Sequence, residues 1–329
     1  MQPTDVNVDG LSVVLGLWQD RPPLENVDVA INADRLGYRE LWIGEMATFD
    51  AFTLATAIGL RTDRIPLTVG PLAVAVRTPM TVAMGAASVA ALIDRPVGVA
   101  LGTSSEVVVN EWHGRTRAGS VEMLAEHAEA TRLLLAGGKA DVSGKVVHTR
   151  GYRLRLPAVT GPLSIAAFGP RAIRTAGRVA DRLVLNMLTP AAAARLCDQL
   201  AAAATEAGRP RPRVAIWLAT AVDPAAETLA QIARAKVAYL AAPGYGEMFA
   251  EAGFGELVAL ARTRPHPRTL LDAVPTELVG AVGLVGSADQ IVERITAYRD
   301  AGVDDICIVP ATAGDDAGHR TLEALAPRS

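Results

Sequence analysis

The chain has 329 residues, half of them hydrophobic, one fifth charged and 4% aromatic, so its interior must be built from Val, Leu, Ile and Ala, as in a globular protein. A formal net charge of −3, with no long run of like charge, excludes a nucleic-acid arm or a basic membrane patch and leaves a small molecule as the expected partner. No apolar run approaches the ~20 residues needed to span a bilayer, and Met1 to Gly10 lacks the basic start and apolar stretch of a secretory signal, so a cytoplasmic enzyme is expected. Cys197 and Cys307 lie far apart inside apolar segments and read as buried thiols in a reducing compartment.

In chain order, eight short β-rich runs alternate with helical patterns: residues 12–17, 40–44, 66–74, 97–101, 163–167, 182–186, 214–220 and 305–309. They are apolar without alternation, as strands buried on both faces are. Thr78-Pro79 and Thr189-Pro190 each place a capping hydroxyl before a proline in the first helical turn. Gly37, Gly177 and Gly302 follow apparent helix ends, where a left-handed residue would turn the chain back into a sheet. Eight such units predict a single α/β domain over 1–329, a (β/α)8 TIM barrel. Residues 138–157 and 242–287 break the rhythm and read as insertions after the fourth and seventh strands. The second reads as a lid, a subunit contact or a packing excursion.

Barrel chemistry sits in the loops at the carboxyl ends of the strands. The second run exits into Glu45 and Met46, the third kinks through Gly70, Pro71, Leu72 and Ala73, and the fourth exits into Gly102, Thr103 and Ser104. The fifth exits into Gly169, Pro170 and Arg171, a close-approach glycine, a helix-starting proline and a cation at a helix N-terminus, which together suit a phosphate. The sixth exits into Asn186. Among five histidines, His113 after the fourth run is the one placed to meet a substrate, while His127 falls inside the amphipathic pattern 119–136 and reads as structural. No histidine has a metal-ligand spacing. Trp18 and Trp112 offer apolar walls for a pocket, although an isolated Trp is more often a core aromatic.

Five segments together resemble the luciferase-like oxidoreductases, in particular the branch that uses coenzyme F420: LGYRELWIGEM (36–46), IPLTVGPLAV with Arg77-Thr78-Pro79, VALGTSSEVVVNEWHG (99–114), FGPRAIRTAGRVADRLVLN (168–186) and VGSADQIVERITAYRDAGVDDICIVP (285–310). The resemblance implies a deazaflavin across the barrel mouth, backed by a bulge at residues 70–73 with a non-proline cis peptide near Pro71-Leu72 or Leu72-Ala73. It places the cofactor phosphate between Gly102-Thr103-Ser104 and Gly169-Pro170-Arg171, with Asn186 close by. Relatives that oxidise sugar phosphates have a histidine where this chain has Met46, which leaves Glu45 or His113 to move the proton. A homodimer through helices near the second and third strands is also implied, and the Ala-rich stretch 80–92 permits one. The same barrel with FMN would be a two-component monooxygenase, and a barrel that has lost catalysis would be a cofactor-binding protein.

Overall fold

A computed structural model describes residues 10–327. Its strands are β1 (Ser12–Val14), β2 (Leu41–Ile43), β3 (Leu67–Ala73), β4 (Val97–Gly102), β5 (Lys139–Ser143), β6 (His148–Arg153), β7 (Leu163–Ala166), β8 (Arg182–Asn186), β9 (Arg213–Val222), β10 (Leu284–Gly286) and β11 (Asp305–Pro310). All eight predicted runs are strands: β1 to β4, β7 to β9 and β11. Helices follow them in the alternation of the (β/α)8 barrel. The described residues pack as two compact units, one running from Arg39 to Leu185 with Leu196–Ala215, the other holding residues 10–38, Asn186–Arg195 and 216–327.

In the first of these units β2, β3, β4, β7 and β8 lie side by side, all parallel, with Leu41 opposite Leu67, Val69 opposite Val99, Gly102 opposite Ala166 and Ile165 opposite Leu183. Their side chains are almost all buried, which accounts for the unbroken apolar runs. Four polar exceptions form one buried network. Arg182 donates to both oxygens of Glu40 (2.7 and 2.9 Å), to Ser164 Oγ (3.2 Å) and to Thr68 Oγ1 (3.3 Å), and its guanidinium lies 4.2 Å from the Trp42 ring centroid. Thr68 in turn donates to Glu40. Each partner is needed, because a charge buried without one is strongly destabilising.

Strand β3 loses register with β4 between Val69 and Leu72. Gly70 lies at φ +125°, and a Cβ there would be 2.2 Å from the Ala100 carbonyl oxygen, so only glycine fits the bulge. The expected bulge is therefore present, but the cis bond is Gly70-Pro71, a prolyl bond and earlier in the chain than the expected Pro71-Leu72 or Leu72-Ala73.

The helix signals are read nearly as predicted. Thr78 forms a capping box with Thr81, and Thr189 Oγ1 accepts from the Ala192 N–H at 3.2 Å. Gly37 and Gly302 are left-handed, at φ +80° and +87°. Gly177 is not: it lies inside the helix Pro170–Val179, where a Cβ would stand 2.8 Å from that of Ala203. Close helix packing, and not a turn, selects that glycine.

The predicted insertion over 138–157 is the antiparallel hairpin β5–β6. Its turn is held by Glu126, which accepts from the backbone N–H groups of Lys145, Val146 and Val147 at 2.7, 2.9 and 2.8 Å. In the second unit β10, β9, β11 and β1 adjoin in that order, with Leu284 opposite Thr220 and Ser12 opposite Cys307. The insertion over 242–287 folds into short helices, including Tyr245–Phe249, Gly255–Arg262, Pro267–Asp272 and Thr276–Ala281, and ends in β10. Phe249, Leu257, Val258, Leu270 and Leu278 pack there with Met187, the residue that follows β8. Cys197 and Cys307 are both buried. Among the described residues no helix is long and apolar enough to cross a membrane.

Candidate functional site

Two turns at the ends of β4 and β7 leave the sheet from paired residues, Gly102 and Ala166, which makes residues 102–105 and 167–171 neighbours. Ser104 is left-handed, at φ +57°. The backbone N–H groups of Thr103 and Ser104 donate to no acceptor among the described residues. Nor do those of Arg171 and Ala172 in the first turn of the helix Pro170–Val179, whose Gly169 provides no side-chain cap. Free amides converging from a left-handed turn and a helix N-terminus form a setting for an anion.

Two cations stand near these turns. Arg171 is exposed and pairs with Glu122 on the surface. Arg117, further along the chain, reaches Thr103 Oγ1 with Nη2 at 3.4 Å, and its Nε is buried with no hydrogen-bond partner among the described residues. A buried guanidinium N–H without an acceptor is an unfavourable arrangement that a bound anion would relieve. The residues present thus fit the phosphate of a cofactor. Nothing in the sequence singled out Arg117, because it lies in an irregular segment and reaches Thr103 only through the path of the chain.

At the bulge, Leu72 is fully buried and Ala73 is 8% exposed, whereas Pro71 keeps part of its surface. Of the expected residues 70–73, Pro71 and the bulged backbone are the accessible part.

At the end of β2, Arg77 Nε donates to both oxygens of Glu45 at 3.1 and 3.0 Å, and Nη2 bonds to Glu45 and Asp50. Asp50 caps the helix Ala51–Gly59 through the Thr53 N–H at 2.9 Å, and the Phe52 ring lies 5.4 Å from the guanidinium. The bonds to Glu45 are the main reason that the Arg77 guanidinium is held above its ordinary pKa. Glu45 is therefore engaged in a fork-to-fork pair with Arg77. The Arg77 carbonyl bonds to His127 Nε2 at 2.9 Å, and Thr131 bonds to His127 Nδ1 at 3.1 Å. Burial pushes His127 down to about 4, which makes it a neutral structural histidine, in keeping with the helical pattern around it.

Met46, Trp112 and His113 are exposed; the latter two end the π-helical turn Val107–Trp112 and lie beyond the Ser104 loop. In the other unit, Asn186 Nδ2 lies 3.5 Å from the Tyr245 hydroxyl, and the Tyr245 ring meets that of Tyr239 edge-on at 4.8 Å. Trp18 donates from Nε1 to the Pro310 carbonyl at 2.9 Å and packs against Ala219, Ala221, Ile232 and Ala311. It ties the end of β1 to the end of β11, so it serves as a partly exposed core aromatic as much as a pocket wall. Tyr245 was missed in the sequence because an isolated tyrosine in an insertion gives no periodic signal.

The family model for luciferase-like monooxygenases matches residues 12–305. The chain belongs to this family. Among curated relatives, a 5,10-methylenetetrahydromethanopterin reductase of Methanolobus tindarius is 25% identical, over 92% of this chain and 94% of the relative. An F420-dependent glucose-6-phosphate dehydrogenase of Nocardia farcinica is 26% identical, over 86% of this chain and 87% of the relative. Among solved structures, an F420-dependent secondary alcohol dehydrogenase in complex with an F420-acetone adduct superposes with a TM-score of 0.79 at 17% identity, over 97% of this chain and 99% of that one. That likeness shows the (β/α)8 barrel fold.

Proposed function

We propose that this luciferase-like protein is a coenzyme F420-dependent oxidoreductase acting on a small organic substrate. The observation that carries the reading is the anion setting at the ends of β4 and β7, where backbone amides and the Arg117 Nε have no acceptor among the described residues. Relatives named for F420 chemistry, aligned over most of their length, support the choice of deazaflavin over FMN. When bound, F420 supplies the hydride acceptor or donor. The chain's own part is binding and orientation. Thr103, Ser104, Arg171 and Ala172 offer backbone N–H groups to the phosphate and Arg117 a cation, while Gly169, Pro170 and Gly102 keep the approach open. Pro71 and the bulged backbone back the ring.

His113 is the group we assign to hold or release the substrate proton, because it is exposed beyond the cofactor turn and Glu45 is bound to Arg77. Trp112 and Met46 add exposed apolar surface for a substrate. Exposed Leu60, Met84 and Leu92, on and beside the helices Ala51–Gly59 and Pro79–Ile93, support the reading of a homodimer through this face. Two cysteines buried in apolar segments suit a reducing cytoplasm.

The test is fluorescence titration of the purified protein with F420 and, separately, with FMN. F420 is expected to bind at least tenfold more tightly, and Arg117→Ala to weaken it about tenfold, the loss of roughly one charge-assisted hydrogen bond. Preference for FMN would turn the reading toward a two-component monooxygenase. Binding of F420 without turnover of any alcohol, enone or imine would turn it toward a cofactor-binding barrel. An Arg117→Ala protein with unchanged affinity would remove the anion site.

A further inference from the structure

The helix Ala226–Leu240 carries a lysine in a place where a lysine is costly. Lys236 is 2% exposed, and among the described residues it has no hydrogen bond or ion pair. Burial alone lowers its amine to about 8, with no carboxylate opposing the shift. Fully buried lysines are rare unless paired, so an unpartnered one calls for an explanation in its surroundings.

Those surroundings are the strand ends. One turn before Lys236, Ile232 packs with Ala219 and Ala221 of β9, with Ala311 directly after β11 and with Trp18 beyond β1. One turn after it, Leu240 packs with Met187, directly after β8, and with Phe249. Residues four apart share a helix face, so the Lys236 face lies over the carboxyl ends of these strands. Three residues on, Tyr239 meets Tyr245, which in turn reaches Asn186. Other cations of the same unit have acidic partners: Arg234 pairs with Asp20, Arg262 with Glu247 and Arg195 with Glu251. Lys236 is left as an amine with no counter-charge among the described residues, on a helix face flanked by apolar residues at the end of the barrel where substrates bind.

We propose that Lys236 is the anchor of a substrate subsite for a carboxylate, with Asn186 and Tyr245 at its edge. The proposal rests on the reading of the strand ends as the substrate site. One cation balances one monoanion; a doubly charged phosphate would bring an unmatched charge into a buried setting, so the favoured class is a carboxylate-bearing substrate.

The test uses matched probe pairs, butyrate with butyramide, hexanoate with hexanamide and benzoate with benzamide, measured by isothermal titration against the full chain and against Lys236→Met. Methionine keeps the length of the side chain and removes a buried amine, so the variant is expected to fold with a melting temperature at or above that of the parent. The expected result is that at least one carboxylate binds the parent tenfold or more tightly than its amide, and that Lys236→Met abolishes this preference while binding F420 within twofold of the parent. Equal binding of acid and amide in every pair would overturn the proposal, as would a preference that survives in Lys236→Met. The F420 titration separates the two ideas: failure of the parent to bind F420 with an intact carboxylate preference would reject the cofactor reading and leave the subsite standing.

Discussion

Replacing Gly70 with alanine tests whether the bulge in β3 is dictated by backbone sterics. At φ +125° an L-residue is strained by roughly 1–3 kcal/mol. The new methyl would also stand 2.2 Å from the Ala100 carbonyl oxygen, well inside ordinary contact, so β3 and β4 must part, an overpacking that costs another ~1–3 kcal/mol. Together these give a loss of about 4 kcal/mol. The matched control is Gly102→Ala, one strand away. There the methyl would lie 3.4 Å from Pro71 Cβ and 3.6 Å from Ala166 Cβ, ordinary contacts, and the backbone is not left-handed. The control is therefore expected to stay within about 1 kcal/mol of the parent. Urea unfolding reads both, as a lowered midpoint at unchanged slope. F420 titration is expected to show weaker binding in Gly70→Ala, because Pro71 adjoins the displaced backbone. The reasoning is refuted if Gly70→Ala is no less stable than Gly102→Ala.

Two further outcomes follow from the buried polar groups. Arg182→Met strands the Glu40 carboxylate inside the sheet and is expected to cost about 3–5 kcal/mol, whereas Glu40→Leu combined with Arg182→Met removes both charges and is expected to recover most of that loss; a double variant worse than the single one in urea unfolding would contradict this. His127 is held at about 4 by burial against an unfolded value near 6.5, so the unfolded chain takes up the proton first as pH falls. Its contribution is intact above ~6.5 and lost on acidification towards 4, by about 3 kcal/mol in all, and His127→Gln is expected to flatten the stability profile across that window. An unchanged slope in the variant would show that other groups govern it.

Much of the architecture could be read from local chemistry. Apolar runs of strand length, threonine-proline caps and glycines after helices are consequences of backbone hydrogen bonding and sterics within a few residues, so the eight strands, the capping at Thr78 and Thr189 and the turns at Gly37 and Gly302 were legible. Where the deciding contact was distant, local reading failed. Gly177 resembles a helix exit until Ala203 is seen against it, and the cis bond falls at Gly70-Pro71, within a register shift between β3 and β4.

The candidate site divides along the same line. The sequence by itself determined which turns carry small residues and helix starts, because those preferences belong to the residues at positions 102–104 and 169–171. Only the tertiary structure decided which charges serve them. It turned Arg171 outward to Glu122, brought Arg117 to Thr103, committed Glu45 to Arg77 and buried Lys236 without a partner among the described residues. The physical reason is that the pairing and solvation of a charged side chain depend on neighbours distant in sequence, whereas the conformational limits of glycine, proline and threonine travel with the residue itself.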